Sequence, residues 1–269
     1  MWNAFGKITH SSVEALKSLV FPACCSFCSQ PTTTSADGLC FHCRETLTWE
    51  ANQPACRGCG VPLRNREISI DCPECAVRSF RFDRLIRLGN YQGSIRNSVI
   101  RIKNFGEYPL ARSVGRLLAD QVRGSFSGQL LPDFVVPMPS HWRKRLVRGH
   151  NSPESLAKEI AFLTNIPLLL DVLICQRQPH KQALLSSAER HQNLKGTFRL
   201  RANYDLIGAH ILLVDDIITT GATANEATRV LKHAKVGMVS VAVLGRASNY
   251  DLLDLQQTYS EGKEQRITS

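Results

Sequence analysis

The sequence has no long run of apolar residues. In 269 residues the longest apolar stretches, such as Leu168–Leu170 and Ile211–Val214, are only a few residues long, whereas a helix that crosses a bilayer needs about 20. The start of the chain has a short apolar patch interrupted by Lys17, without the basic stretch and continuous apolar core of a secretory signal. The sequence therefore predicts no transmembrane segment and a cytoplasmic location.

Aromatic and acidic residues are also scarce. Aromatic residues make up 7% of the chain, which leaves few platforms on which the bases of a single strand could stack. Lysine and arginine number 33 against 23 acidic residues, a net charge of +10. This excess favours polyanionic partners such as nucleic acid, although an inert basic surface would give the same charge. The length fits one domain of about 150 to 200 residues and a smaller module.

Cysteine is abundant, and nine of the ten cysteines lie between Cys24 and Cys75. Eight of them form four CxxC pairs: Cys25 and Cys28, Cys40 and Cys43, Cys56 and Cys59, Cys72 and Cys75. A CxxC turn directs two sulfurs to one side, and Zn²⁺ takes four such ligands at about 2.3 Å. The spacing predicts two zinc ions, each held by two consecutive pairs, although an interleaved pairing has the same sequence signature. Cys24 is left over and is interpreted as a bystander.

Two alternatives to zinc fit the same cysteines. A disulfide framework would require an oxidising compartment, for which the sequence shows no secretory signal. An iron–sulfur cluster also uses four cysteines, but two evenly spaced double pairs favour zinc. Because sulfur fills all four positions of each ion, the predicted zinc is structural rather than catalytic, and it supplies most of the folding free energy of a module with few large apolar residues.

The rest of the chain alternates predicted strands with predicted helices. A strand and turn are predicted from Phe82 through Leu88 to Gly93, and further strands over Asp133–Pro137, His210–Val214 and Met238–Leu244. Helices are predicted over about Pro109–Arg123 and over Ala222–His233. Another helix is predicted to begin at Asn151 or Ser152, with Pro153 in its first turn. This alternation indicates an α/β fold with a parallel sheet flanked by helices, and ligands of such sheets bind at the carboxyl ends of the strands.

The run Ile211–Thr223 carries the chemistry. An apolar strand ends in Asp215 and Asp216, and Thr219, Thr220, Gly221, Ala222 and Thr223 then form a small turn rich in hydroxyl groups that opens a helix. Backbone N–H groups at a helix start and threonine hydroxyls suit a phosphate, and glycine permits close approach. The carboxylates can accept hydrogen bonds from vicinal sugar hydroxyls. The run therefore predicts a site for a ribose 5-phosphate.

Two other interpretations of this run are weaker. An ordinary strand–turn–helix with aspartate as a helix cap would explain either half of the run alone, but not the complete pattern. A Walker B strand would need a G-x4-G-K-[ST] loop elsewhere, and the sequence has none.

ILLVDDIITTGAT resembles the phosphoribosyl pyrophosphate motif of the type I phosphoribosyltransferases. With the cysteine pairs and the stretches VVPMPSHWRKRLVRGHNSPESLA and QRQPHKQALLSSAERHQNLKGTF, the chain is identified as a member of the ComF family of competence proteins, also known as GntX-like DNA utilisation proteins. The resemblance covers about residues 20 to 247. It implies that Asp215 and Asp216 hold the ribose hydroxyls, that Thr219–Thr223 bind the 5-phosphate, and that Mg²⁺ accompanies the pyrophosphate.

Two further segments receive expected roles from this resemblance. A basic loop contains the candidate pyrophosphate ligands Arg143, Lys144, Arg145 and Arg148. The family shows RGFNQ where this chain has RGHNS, so the roles of the phenylalanine and glutamine do not carry over. A mobile loop that closes over substrate would contain Lys181, Gln182, Arg190 and Asn193. Solvated basic side chains or surface ion pairs explain several of these charges equally well.

Two functions follow from these observations. The chain either transfers a phosphoribosyl group to an unidentified nucleobase or amine, or binds a sugar phosphate or single-stranded DNA as part of DNA uptake, natural transformation or the use of DNA as a nutrient. The expected organisation is a helical segment over 1–20, a double zinc ribbon over 21–78, a phosphoribosyltransferase-like domain over 80–248 and a polar tail over 249–269.

Overall fold

A computed structural model describes residues 23–32, 37–63, 72–104, 106–140, 150–177, 194–201 and 204–247. The predicted N-terminal helical segment and polar tail lie outside these ranges. Within them the helices are α1 (Phe41–Ala51), α2 (Pro73–Val77), α3 (Gly93–Arg101), α4 (Tyr108–Ser125), α5 (Ser152–Thr164) and α6 (Ala222–His233). In the described ranges no helix is both long and apolar enough to cross a membrane.

Four strands form one parallel sheet in the order β1-β6-β5-β2. They are β1 (Arg84–Asn90), β2 (Phe134–Pro137), β5 (His210–Ile218) and β6 (Met238–Arg246). A short antiparallel pair, β3 (Leu173–Cys175) with β4 (Phe198–Leu200), lies apart from this sheet. The predicted parallel sheet with flanking helices is confirmed.

Side chains alternate across the sheet and build two cores. On one face, residues such as Leu212 and Val214 pack with the buried sides of α3, α4 and α5. On the other face, Ile211 and Leu213 pack with α6 and with the β3–β4 pair. The helix α4 follows the predicted apolar period, with Leu110, Val114 and Leu118 fully buried. The strands are therefore covered on both faces, as expected for a parallel sheet.

Two of the differences from the predicted element boundaries bear on the candidate site. The predicted turn at Gly93 is the first residue of α3. The strand β5 was expected to end at Val214, but it continues to Ile218 because pairing with β6 extends through Ile217 and Ile218. The loop at the carboxyl end of β5 is therefore shorter than the predicted loop of Asp215–Gly221.

Candidate functional site: two zinc sites and a threonine loop

The eight paired cysteines gather into two groups. The first zinc site is formed by Cys25, Cys28, Cys40 and Cys43, and the second by Cys56, Cys59, Cys72 and Cys75. Within each group the sulfur atoms all lie within 4.8 Å of one another. The predicted sequential pairing is confirmed, and the interleaved alternative is wrong.

The sulfur spacing fits a tetrahedral zinc ion. Four sulfurs at about 2.3 Å from one zinc lie about 3.8 Å apart. The Sγ atoms of Cys28 and Cys40 are 3.8 Å apart, those of Cys56 and Cys75 3.7 Å, and those of Cys59 and Cys72 3.5 Å. These separations are too long for disulfide bonds, and the cysteines are free thiols. The two groups are zinc sites of a double zinc ribbon.

Backbone N–H groups prepare the first site for a metal. Burial acts to raise the pKa of the Cys25 thiol, but hydrogen bonds from the backbone, those of Cys28 and Cys40 foremost, lower it to about 6. A thiolate is the form that coordinates zinc. The backbone of this turn therefore favours the thiolate form of Cys25, whereas burial raises the pKa of Cys43 in the same site.

The first zinc site is packed into the main core. Cys25, Cys43, Leu39 and Leu47 are buried in the same apolar cluster as the inner sides of α3 and α4. Polar contacts fix its orientation as well. On α4, the Ser113 Oγ lies 2.9 Å from the Ser26 Oγ and donates to the Asp37 carbonyl oxygen. At the end of α3, Arg101 donates to the carbonyl oxygens of Phe27 and Ser26.

The second zinc site lies against the edge of the sheet. The Leu85 N–H of β1 donates to the Arg57 carbonyl oxygen at 2.8 Å. The CxxC turn of Cys56 and Cys59 therefore covers a hydrogen-bonding position of an edge strand. Cys56, Cys59 and Cys72 are buried in a separate small cluster, against which Phe80 packs. The two sites thus have different surroundings although their ligand sets match.

The two predicted acids lie within β5 rather than in a loop. Asp215 pairs in register with Val243, and its carboxylate accepts the Asp216 N–H at 2.8 Å. Successive strand residues point to opposite faces, and the two acids have different neighbours. Asp216 is 9% exposed, and its carboxylate lies 3.4 Å from the Lys103 Nζ. Asp215 is half-buried, whereas Asp216 is buried because the strand continues past it.

The turn after β5, here called the threonine loop, comprises Thr219–Thr223. Gly221 has φ +79°, a left-handed conformation that suits glycine, and it immediately precedes α6. The Thr220 side chain is buried, and its Oγ1 accepts the Ala222 N–H at 3.4 Å. Thr219 and Thr223 are half-buried. The loop therefore lies at the carboxyl end of β5, directly before the N-terminus of α6.

The space beneath the loop is small. A cavity of about 30 Å³, lined by Asp215, Thr219, Gly221 and Thr223 among others, is roughly the size of one water molecule. This cavity is too small to hold a ribose phosphate.

Eight further predicted site residues lie outside the described ranges. They are Arg143, Lys144, Arg145 and Arg148 of the basic loop, and Lys181, Gln182, Arg190 and Asn193 of the mobile loop. The residues that flank the basic loop are described. The Asn151 amide donates to the Met138 carbonyl oxygen at 3.2 Å, and His150 lies 2.7 Å from the Ile102 carbonyl oxygen.

Sequence reasoning missed two residues at the site. Lys103, which lies beside Asp216, follows α3 about 110 positions earlier in the chain and belongs to no recognisable motif. Arg246 at the end of β6 is 3% exposed and donates to the Thr219 carbonyl oxygen. An arginine after a buried apolar strand was the available signal, because such a side chain needs partners.

A row of cavities follows the outer side of α6. The largest has a volume of about 620 Å³ and is lined by Ser79, Arg81, Lys195, Asn225 and Arg229 among others. It adjoins a second of about 390 Å³, which shares Arg81 and Arg229 and adds Lys232 and His233. We call this row the α6 groove. Its cations are partly compensated, since Arg229 pairs with Glu226 and Lys232 with Asp83.

Comparison with known proteins supports this organisation. The family model of the double zinc ribbon domain matches residues 16–76, and that of the phosphoribosyl transferase domain matches residues 155–263. Competence protein F of Haemophilus influenzae is 28% identical over 226 residues, which are 83% of this chain and 96% of that protein. DNA utilization protein YhgH of Salmonella typhimurium is 29% identical over 231 residues, 85% of this chain and 99% of that protein.

Among solved structures, the allosteric regulatory enzyme of purine biosynthesis aligns with a TM-score of 0.36 and 21% identity. That alignment covers 54% of this chain and 30% of the enzyme.

Proposed function

We propose that this chain binds phosphoribosyl pyrophosphate and acts in DNA uptake, natural transformation or the use of DNA as a nutrient. The proposal is supported by its double zinc ribbon, its phosphoribosyl transferase domain and its similarity to competence protein F and DNA utilization protein YhgH. The role in DNA handling follows from the names of its relatives, competence protein F and DNA utilization protein. The geometry of β5 and the threonine loop supports the proposed binding site. A cytoplasmic location accords with both.

One observation carries the proposed ligand. The acid pair lies in the last part of a buried parallel strand, and a left-handed glycine at the start of α6 follows within five residues. In this arrangement the loop amides and the hydroxyls of Thr219 and Thr223 bind the 5-phosphate. Asp215 and Asp216 accept hydrogen bonds from the ribose hydroxyls, and Lys103 holds the Asp216 carboxylate in place.

Magnesium is the cofactor expected with this ligand. Mg²⁺ is a hard cation that prefers oxygen ligands and commonly bridges carboxylates and substrate phosphates. When bound, it would neutralise charge on the pyrophosphate. Asp215, which lines the small cavity under the loop, is the described carboxylate suited to face it, and the basic loop would supply Arg143, Lys144, Arg145 and Arg148 to the same group.

Calorimetric titration of the full chain with phosphoribosyl pyrophosphate and Mg²⁺ tests this proposal. We expect binding by the unmodified chain and a loss of affinity of about tenfold or more in Asp215→Asn and Asp216→Asn, because each removes charge-assisted hydrogen bonds. The matched control is Asp120→Asn, an exposed aspartate on α4. Absence of heat with the unmodified chain, or equal affinity in all three variants, would show that the site is misassigned.

Catalysis is the alternative function of the same site. A transferase would pass the phosphoribosyl group to a nucleobase or amine and release pyrophosphate, with the loop of Lys181, Gln182, Arg190 and Asn193 closing over the substrate to exclude water. Pyrophosphate release at saturating phosphoribosyl pyrophosphate, measured against a panel of bases and amines, separates the two. Release above the hydrolytic background with one acceptor identifies an enzyme, and binding without release identifies a binder.

Single-stranded DNA is a second candidate ligand, which the α6 groove favours. Within the described ranges Arg81 and Lys195 make no ion pair, and they line the cavity of about 620 Å³ in this groove. Few aromatic side chains are available for stacking, so contacts to phosphates would dominate and affinity would fall steeply with salt. Anisotropy of a labelled oligothymidine should show this. Arg81→Ala with Lys195→Ala should lower the salt slope, whereas the exposed pair Arg44→Ala with Arg112→Ala should not.

A further inference from the structure

Arg246 joins the second zinc site to the threonine loop. Its Nε donates to the Cys59 carbonyl oxygen at 2.8 Å, and its Nη1 donates to the carbonyl oxygens of Thr219 and Ala247. Its Nη2 lies 3.5 Å from the carboxylate of Glu74. Because a guanidinium is a rigid planar fork, groups that it bonds simultaneously are held at fixed relative positions. Cys59 is a zinc ligand, and Thr219 is the first residue of the loop.

An aromatic contact makes the same connection independently. Phe80 packs against the cluster of Cys56, Cys59 and Cys72. It also lies against Gly221, where an added Cβ would be 2.8 Å from the Phe80 ring. The ring is thus in contact with the metal site on one side and with the centre of the loop on the other.

A third contact ties the first turn of α6 to the segment that follows Cys75. The Asn225 side chain accepts the Arg81 N–H at 2.8 Å and donates to the Ser79 carbonyl oxygen at 3.4 Å. It is 7% exposed. The residues that leave the second zinc site are therefore hydrogen-bonded to the helix whose N-terminus forms the loop.

Electrostatics favour the same arrangement. Zinc held by four thiolates carries a net charge of about −2. Arg246, at 3% exposure, is a buried cation that needs anionic partners nearby. Glu74, within the second zinc site, and the metal–thiolate group provide these partners. Their negative charge stabilises the guanidinium in the position from which it also bonds Thr219.

We propose that the second zinc site positions the threonine loop for its ligand, with Arg246, Phe80 and Asn225 as the positioning residues. The inference rests on the proposed function, in which this loop holds a sugar phosphate. The second zinc is thus required for ligand affinity as well as for local folding. The first zinc site makes its polar contacts with α3 and α4, so its effect on the loop is expected to be small.

Hydrogen exchange of the loop amides tests the proposal without any ligand. Cys75→Ser and Cys40→Ser each remove one half-buried cysteine, from the second and first site respectively. In the full-length chain, Cys75→Ser should speed exchange at residues 219–223 by about tenfold or more, and Cys40→Ser should not. Equal exchange in the two variants would overturn the proposal even if phosphoribosyl pyrophosphate proves not to be the ligand.

Arg246→Lys tests the guanidinium itself. Its control is Arg87→Lys, because Arg87 is also buried on a neighbouring strand and donates to Asn90 instead of the loop. We expect Arg246→Lys to retain two zinc ions by elemental analysis and to bind phosphoribosyl pyrophosphate about tenfold more weakly, with Arg87→Lys unchanged. If Arg246→Lys fails to fold, Asn225→Ala gives the same comparison. Unchanged affinity in the folded variant would overturn the role of Arg246.

Linkage supplies a reciprocal measurement on the unmodified protein. If zinc favours ligand binding, the ligand must favour zinc retention by the same factor. Phosphoribosyl pyrophosphate with Mg²⁺ should slow zinc release from the second site to a chelator and leave the first site unaffected. Ligand binding that changes release from neither site would contradict the coupling. An absence of ligand binding would count against the proposed function alone, since the exchange experiment still judges the coupling.

Discussion

The two zinc sites have the same ligand spacing and the same sulfur geometry, yet they contact different parts of the molecule. The first shares the main core with α3 and α4. The second covers the edge of β1 and is joined to the threonine loop through Arg246 and Phe80. A CxxC pair defines how a metal is held, but it does not indicate which other elements the metal site packs against. From these surroundings we expect the first site to contribute mainly to stability and the second to position the threonine loop.

The largest expected effect is loss of the first zinc site. Cys25→Ser with Cys43→Ser removes two ligands that lie in the main core, and it frees the buried Leu39 and Leu47, each worth about 1.5 to 3 kcal/mol when buried. We expect the thermal midpoint measured by circular dichroism to fall, while the sheet stays folded at room temperature. The matched variant Cys56→Ser with Cys59→Ser should lower the midpoint less. Equal losses in both would remove the distinction between the sites.

Gly221→Ala should have the next largest effect, because it disturbs the contact between the loop and the second ribbon. An alanine at φ +79° costs about 1 to 2 kcal/mol of left-handed strain, and its methyl group would also press on Phe80. Gly128→Ala is the control, since Gly128 has φ +75° with no atom within 4 Å of an added Cβ. Urea denaturation should show a larger loss of unfolding free energy for Gly221→Ala than for Gly128→Ala. Equal losses would mean that the Phe80 ring can move away from the added methyl group without cost.

A smaller effect is expected from Ser113→Ala, which removes a polar tie of the first site. The hydroxyl bonds the Asp37 carbonyl and Ser26, so its loss should lower the free energy of unfolding by about 1 to 2 kcal/mol. Affinity for phosphoribosyl pyrophosphate should stay unchanged. In Ser98→Ala, another buried serine, the hydroxyl bonds only Ser94 within its own helix, and a smaller loss is expected. A fall in ligand affinity with Ser113→Ala would show that the first zinc site also influences the threonine loop, against our expectation.

The smallest expected effect is a loss of stability at low pH. Acid favours zinc release from both sites, and it also affects His210 at the opposite end of the sheet. Burial lowers the pKa of His210, with Arg84 and Lys232 acting in the same direction against Asp133 and Asp83. A folded pKa below the unfolded value of about 6.5 means that stability is present above that pH and is lost as pH falls. Unfolding measured between pH 7.5 and 5.5 in saturating zinc should show this slope, reduced in His210→Gln. An unchanged slope would assign the acid sensitivity to zinc release alone.

Local sequence signals predicted much of this molecule. Helix α6 begins and ends at the predicted residues because Gly221 and the apolar period of Ala227 and Leu231 define it. The zinc pairing follows from consecutive CxxC turns, whose short connections bring neighbouring pairs together. The positions of Asp215 to Thr223 relative to β5 and α6 were also readable, apart from the length of the strand. Their role as a ligand site stays a prediction.

Contacts between distant segments were not predictable. The extension of β5 to Ile218 depends on pairing with β6, and the burial of Asp216 follows from it. Lys103 reaches Asp216 only because α3 ends beside β5. Nothing in the sequence distinguishes Arg246 from the other arginines of this basic chain. Its role depends on the fold, which places Cys59 and Thr219 within hydrogen-bonding distance of its guanidinium. Sequence patterns describe faces and turns, whereas these contacts come from tertiary packing.

The neighbouring positions of β1 and β6 have a consequence for synthesis on the ribosome. Arg84 of β1 pairs with Ser240 of β6, so the edge strand must wait for nearly the whole chain to emerge before its partner exists. Each cysteine group lies within a short segment that is made long before that point, so its ligands are complete while the sheet is still unfinished. The nascent chain can therefore load zinc early, and a prematurely terminated product would carry metal without ever forming the threonine loop.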